Sequence, residues 1–260
     1  MTALDLLFLL SALTALVSLA LGRHSALGWV VTVLYGAQLL ALLQISGLGY
    51  GSLQLVESGF RMSVMDQELR WGFDALSWFF ALITIGAGLF SSWFMAGDWG
   101  REYQTRGSSL RLLQFALALN VLSMLILLAS GDLLSLFIGW ELVSWASFLI
   151  MALGGAAATR YAMRYITYAF AGAMAILGAI ALVYASTGSI QFQAFAVLLP
   201  SLPPASQWSL VILFSVGFGI KMALLPFHLW QAKAYAETPG PGAAFLLSLI
   251  HISEPTRQLM

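Results

Sequence analysis

The sequence predicts an all-α polytopic membrane protein of about eight transmembrane helices, the seventh broken near Pro226, and three observations carry that expectation. Of the 260 residues, 60% are hydrophobic and only 8% charged, and the mean hydropathy of +0.90 is far above that of a chain with a water-facing surface. The apolar residues come in runs near the roughly 20 residues that a 30 Å hydrocarbon core demands. Two of the few charges, Glu141 and Lys221, lie inside such runs rather than between them, and Pro226 follows the lysine by five positions.

Taken in order, the first run covers residues 2–21. Asp5 is the only charge ahead of Arg23 and there is no basic leading region, so this opening reads as a retained span, not a cleaved signal peptide. The loop 22–25, with Arg23 and His24, leads to a second span at 27–45. A polar loop at 46–71 carries Glu57, Arg61, Asp66, Glu68 and Arg70. Its alternating stretches 53–57 and 60–64 are expected to pair as a short hairpin. The third span, 73–95, begins beside Asp74, where a helix N-terminus favours an anion.

A charged loop is expected at 97–109, then a fourth span at 110–129. The turn Ser130-Gly131-Asp132 is short enough to force the fifth span, 133–153, antiparallel against the fourth. A Gly- and Ala-rich connection at 154–160 leads to a sixth span at 161–185. Residues 188–206 contain Pro200, Pro203 and Pro204 and no charge, which predicts an interfacial helix or loop rather than a crossing. The seventh span starts near Trp208 and holds Lys221. Beyond Lys233, Glu237 and a Pro/Gly turn at 238–242, a shorter apolar run covers 243–252.

Composition removes several function classes. With no cysteine, the chain has neither a disulfide framework nor a thiolate or iron–sulfur site, and no cofactor is expected. Eleven basic residues balance eleven acidic ones, so no global field points to nucleic acid. No phosphate loop, dinucleotide fingerprint, HExxH or nucleophile elbow is present, and no redox or hydrolytic site is assigned. If the spans alternate, Arg23, Arg101, Arg106, Arg111, Arg160, Arg164 and Lys233 share one side, and only Arg61 and Arg70 face the other. That asymmetry predicts a multi-pass protein of the cell inner membrane with its N-terminus outside.

The candidate site residues are Glu141, Lys221 and His228, with Pro226 as the helix break. Glu141 lies nine residues past the turn, about 13 Å down a helix, and its helical neighbours Phe137, Ser144 and Trp145 form a mixed face. A buried membrane carboxylate is either a titrating group on an ion path or a protonated structural group hydrogen-bonded to a neighbouring helix. Lys221 costs roughly 2.5–3.5 kcal/mol at a helix centre on insertion scales, and so requires a partner or a function. Pro226 lacks a backbone N–H and clashes one turn back at Met222, which breaks the helix just after the lysine. A broken helix beside an ionisable group is the architecture of many transport sites.

At an effective dielectric near 20, opposite charges about 6 Å apart interact by roughly 2.8 kcal/mol. A lysine in that field responds to any movement of Glu141, which is a proton-loading device in outline. His228, two residues past the proline, extends this line as a relay or serves only structurally. His24 reads as a solvated loop residue and His251 falls in the tail. Tyr161, Arg164, Tyr165 and Tyr168 form a polar stripe that reads as an interfacial anchor.

Three motifs carry a resemblance: residues 131–142, ending in Gly139-Trp140-Glu141; residues 221–230, with the spacing Lys221-x4-Pro226-x-His228-x-Trp230; and Ala236-Glu237-Thr238-Pro239-Gly240-Pro241. The chain resembles the antiporter-like membrane subunits shared by respiratory complex I, Mrp-type multisubunit sodium/proton antiporters and membrane-bound hydrogenases, from about residue 73 to 241. The resemblance implies that Glu141 is the fifth-helix glutamate and Lys221 the lysine of the broken seventh helix, an ion pair controlling a proton half-channel. It also implies partners: other membrane subunits, protons or sodium ions, and the lipid bilayer.

In that family the fold consists of two inverted five-helix repeats. The chain would then hold a truncated first half: N-terminal helices at 1–110, an incomplete first repeat at 111–252 and an aberrant tail at 253–260. The eighth helix of the family carries a further lysine or histidine, and His251 is not assigned that role. Proton or sodium/proton translocation within a multisubunit complex is the expected function. The alternative is a scaffold or assembly subunit in which the Glu/Lys pair is structural.

Overall fold

The computed structural model describes residues 2–21, 26–45, 55–64 and 67–251. Arg23, His24 and the tail beyond His251 lie outside the described residues, as do Leu53 and Gln54 of the expected hairpin. Helix α1 (Ala3–Ala20) starts from a reciprocal cap, in which Thr2 Oγ1 accepts from the Asp5 amide and Asp5 Oδ2 accepts from the Thr2 amide at 2.7 Å. Helix α2 (Leu27–Ile45) is tied to α1 inside the bundle. Ser11 Oγ donates to Gln38 Oε1 at 2.9 Å, and Gln38 Nε2 donates to Thr14 Oγ1 at 2.7 Å. Each polar side chain is thus satisfied where no water competes.

The loop that follows is two nested antiparallel ladders. Strand β1 (Val56–Glu57) pairs with β4 (Gly72–Phe73), and β2 (Met62–Val64) pairs with β3 (Gln67–Leu69). The hairpin expected between 53–57 and 60–64 therefore does not form; each stretch pairs with a later strand instead. The loop is held by polar contacts, with Ser58 Oγ donating to Asp5 Oδ1 at 2.6 Å and Arg70 N donating to Asp132 Oδ2 at 2.8 Å.

Helix α3 (Ala75–Ala96) is capped by Asp74, which accepts from the Ser77 amide at 2.7 Å. The stretch expected as a loop at 97–109 contains a short helix, α4 (Asp98–Thr105). Charged outward residues and the stacked pair Trp99–Tyr103, 4.8 Å between centroids, make it amphipathic. Tyr103 OH donates to the Leu153 carbonyl at 3.0 Å, and burial raises this phenol above its usual pKa range.

Helices α5 (Leu110–Leu128) and α6 (Leu133–Ala152) run antiparallel about the turn at 129–132, as the sequence requires. Asp132, fully buried, caps α6 by accepting from the amides of Leu134 and Ser135. The two helices approach closely at Gly139, where a Cβ would lie 2.6 Å from Leu127 Cα. Helix α7 (Ala156–Thr187) is 32 residues long and starts five residues before the expected span. Gly155, at φ +105°, supplies the backbone bend that lets α7 begin this early.

The Pro-containing stretch forms α8 (Phe192–Leu198) and a 3-10 turn at Leu199–Ser201, short of a crossing. Helix α9 (Pro204–Lys221), packed on α7, ends at the lysine itself. After a break at 222–226 the chain makes a 3-10 turn (Phe227–Trp230), α10 (Gln231–Ala236) and α11 (Gly240–His251). Among the described residues six helices, α1, α2, α3, α5, α6 and α7, are long and apolar enough to cross a membrane. The broken α9 and the 12-residue α11 join them in the bundle.

Candidate functional site

The site is assembled where α9 stops against α6 and α7. The helix cannot continue because of Pro226, and the chain turns through Ala223 at φ +52° and a cis Leu225–Pro226 bond. The carbonyls released by the break find new donors. The Leu224 amide donates to Gly219 O at 2.8 Å, and Trp230 Nε1 reaches back to Ile220 O at 3.3 Å. Trp230 thereby folds the segment after the break over the end of α9, satisfying a backbone group that lipid could not.

Lys221, the last residue of α9, extends into the gap between α6 and α7. Its Nζ donates to Ser144 Oγ at 2.7 Å and to Tyr165 OH at 3.3 Å. It also sits 5.3 Å from the centroid of the Trp140 ring and 5.8 Å from that of Tyr165. Two hydroxyls and the face of the Trp140 ring therefore receive the cation. Ser144 serves as acceptor because its own proton is committed to the Trp140 carbonyl one turn back, at 3.0 Å. Tyr165 is fixed by its ring against Trp230, 4.7 Å between centroids. Ser144 and Tyr165 are buried, 1% and 3% exposed.

Glu141 is half-buried on α6, one turn from Ser144, and forms one wall of a cleft of about 350 Å³. Trp145 lies on the same side and Ile166, Thr167 and Phe170 of α7 on the other. Glu141 Oε1 is buried without a hydrogen-bond partner. The ion pairs among the described residues are Arg61–Glu68, Arg101–Asp98 and Arg106–Glu102, so Glu141 and Lys221 do not form a contact pair. His228 sits in the 3-10 turn after the break, with its Nδ1 buried and unpartnered, and no hydrogen bond joins it to Lys221 or Glu141.

Sequence reasoning missed most of the lysine's immediate surroundings. Ser144 entered only as a helical neighbour of Glu141, and Tyr165 only as part of an interfacial stripe. The available signal was a hydroxyl one turn from a half-buried carboxylate, and a phenol on the small-residue face of α7 that carries Ala158, Ala162, Ala169 and Gly172, the last of which lies against Gly217 and Ile220 of α9. No group of three or more His, Asp or Glu side chains among the described residues is arranged to hold a metal ion.

Residues 130–253 match the family described as NADH:quinone oxidoreductase/Mrp antiporter, transmembrane. The chain is 37% identical over 152 residues to NADH-quinone oxidoreductase subunit N of Desulforudis audaxviator, a match covering 58% of this chain and 30% of that subunit. Among solved structures it superposes on a chain of the membrane-bound sulfane sulfur reductase, an archaeal respiratory membrane complex, with a TM-score of 0.77 at 20% identity, covering 96% of this chain and 41% of that one. It also superposes on a chain of the Mrp complex from Dietzia sp. DQ12-45-1b, with a TM-score of 0.76 at 24% identity, over 96% and 26% of the two chains. At these identities the two superpositions show a shared fold. The chain spans less than half the length of each of these proteins.

Proposed function

From a chain whose residues 130–253 carry the transmembrane domain of the NADH:quinone oxidoreductase/Mrp antiporter family, we propose proton or sodium/proton translocation within a multisubunit membrane complex, with Lys221 and Glu141 as the titrating groups. The carrying observation is the half-buried cation at the end of a broken helix, held by neutral hydroxyls while an unpartnered carboxylate oxygen lies one turn away on α6. A lysine held by a neutral acceptor keeps its bond to Ser144 whether or not Glu141 is charged, so the carboxylate remains free to accept and release a proton. His228 is placed as a secondary relay at the far side of the break. The proposed partners are further membrane subunits and the bilayer, and the N-terminus is placed outside because the basic residues gather at the opposite end.

The test is Lys221→Ala and Glu141→Ala, made separately in the full-length protein. Proton flux in vesicles is expected to vanish while the complex still assembles; flux equal to wild type in either variant would overturn the assignment.

A scaffold reading has one observation in its favour, since Lys221 joins α9 to both α6 and α7 through its two hydrogen bonds. Replacing Lys221 and Glu141 together by apolar residues separates the two readings, because a structural pair tolerates such replacement and a titrating pair does not.

A further inference from the structure

Beyond the break the chain returns along α7, and three contacts fix the register of that return. Trp230, at the head of α10, has its ring centroid 4.7 Å from that of Tyr165. Lys233, three residues on, has its Nζ 5.9 Å from the centroid of the Tyr161 ring. Past the end of α10 the Glu237 carbonyl lies against Gly154, in the turn between α6 and α7, so closely that no Cβ would fit there. Tyr161 and Tyr165 are one turn apart on α7, so α10 runs antiparallel along their stripe. Its six residues span about 9 Å, from the surroundings of Lys221 to a surface where Lys233 and Glu237 are exposed.

Tyr235 stands on this route. Its ring centroid is 5.9 Å from that of Trp230, so the phenols of Tyr165 and Tyr235 both lie against one indole. A helical side chain leans toward the N-terminus of its helix, which carries the Tyr235 ring back toward Tyr165. The two phenols are near enough for charge on one to bear on the other, and the Tyr235 hydroxyl also bonds to the Gln231 side chain. Tyr165 is buried and its oxygen accepts from Lys221 Nζ at 3.3 Å. Among the described residues no hydrogen bond takes the proton of Tyr165 itself. A buried donor flanked by a second hydroxyl and an amide is the setting in which an ordered water bridges protein groups.

We propose that Tyr165 and Tyr235, bridged by a water, carry protons between Lys221 and the α6–α7 turn, with Tyr235 the last relay before the exposed surface. A proton leaves the Lys221 ammonium for the Tyr165 oxygen as Tyr165 gives its own to the water. The water passes one to Tyr235, whose hydroxyl proton goes to solvent at the turn. Each O–H bond broken is replaced by one formed, so neither phenol ionises, and Lys221 is left neutral. The same steps in reverse reload it. This relay depends on Lys221 being a titrating group, as proposed above, and adds Tyr235 to the path.

The test is made in the full-length protein within its complex, reconstituted in vesicles. Tyr235→Phe keeps the ring against Trp230 and removes the hydroxyl; proton flux is expected to fall about a hundredfold, with assembly unchanged. Tyr235→His, whose imidazole can take up and give back a proton, should recover much of the flux. Wild-type flux in Tyr235→Phe, beside lost flux in Lys221→Ala, overturns the relay and leaves Lys221 as the titrating group. Wild-type flux in Lys221→Ala overturns both. Equal loss of flux in Tyr235→Phe and Tyr235→His, or failure of Tyr235→Phe to assemble, would make the hydroxyl a structural bond and overturn the relay.

Discussion

Lys221 Nζ lies 2.7 Å from Ser144 Oγ, so the cation of the broken helix is held by a hydroxyl three residues on from Glu141 and not by that glutamate. Ser144→Ala removes the acceptor and leaves a half-buried ammonium with only the longer bond to Tyr165. Hydrogen bonds to charged groups are worth about 1.5–3 kcal/mol, so a loss of that order is expected in thermal unfolding, together with slowed proton flux. Ser144→Thr, which keeps the hydroxyl, should restore both. An alanine variant matching wild type in both measurements would remove Ser144 from the site.

Gly139 sets the distance between α5 and α6. A Cβ there would stand 2.6 Å from the Cα of Leu127 and 2.8 Å from its amide nitrogen, atoms that no rotamer change can move. Gly139→Ala should therefore destabilise the protein by about 1–3 kcal/mol. Gly217→Ala meets mainly the Ile176 side chain at its closest, 2.4 Å, and should be relieved by Ile176→Ala as a second change. Comparing unfolding temperatures of the single and double variants checks both statements; rescue of Gly139→Ala by trimming the Leu127 side chain would contradict the backbone argument.

Asp132 caps α6 with one carboxylate oxygen and accepts the Arg70 amide with the other. Asp132→Ala removes the cap, worth about 0.5–2 kcal/mol, and strands a part-buried amide at about 1–3 kcal/mol more. Asp132→Asn should fall between, since its NH2 would face the Arg70 N–H, donor against donor. Proteolysis of the 55–73 loop is a second readout, because the loop is tied to α6 through this residue. An asparagine variant as unstable as alanine would show that the cap contributes little.

Asp74 caps α3, and the Ser77 backbone amide, with the Ser77 side chain, holds its carboxyl below the usual carboxylate pKa. A depressed folded-state pKa gives stability that is present above the unfolded value, near pH 4, and is lost as pH falls through the lower folded value. Wild type should therefore exceed Asp74→Ala by a constant margin of about 1 kcal/mol near neutrality, and the two should converge below about pH 4. A margin that persists unchanged into strong acid would mean the carboxylate is not its source.

The spans, the tight turn at 130–132 and the break after Lys221 were legible because each rests on local chemistry: run length, a short polar reversal, a proline. What escaped was set by partners distant in sequence. Residues 97–109 look like a charged loop until Trp99 and Tyr103 are seen stacking and Tyr103 reaching Leu153. Val56–Glu57 pairs with Gly72–Phe73 rather than with 60–64 because the loop is anchored to α1 at Asp5 and to α6 at Asp132. The surroundings of Lys221 were hidden for the same reason. Ser144 and Tyr165 lie 77 and 56 positions upstream, and only the packing of α9 on α6 and α7 makes them its partners.

The break does more than make room. Because α9 ends at Lys221, the ammonium stands at the negative pole of a helix dipole, equivalent to about half an elementary charge. The backbone itself is then part of the lysine's counter-charge, supplied by a group that can neither be titrated nor swing away. In an unbroken helix that pole would lie several turns further on, and the cation would depend wholly on side chains. Pro226 thus acts as an electrostatic device as much as a mechanical one, fixing a permanent partial negative charge beside the ammonium.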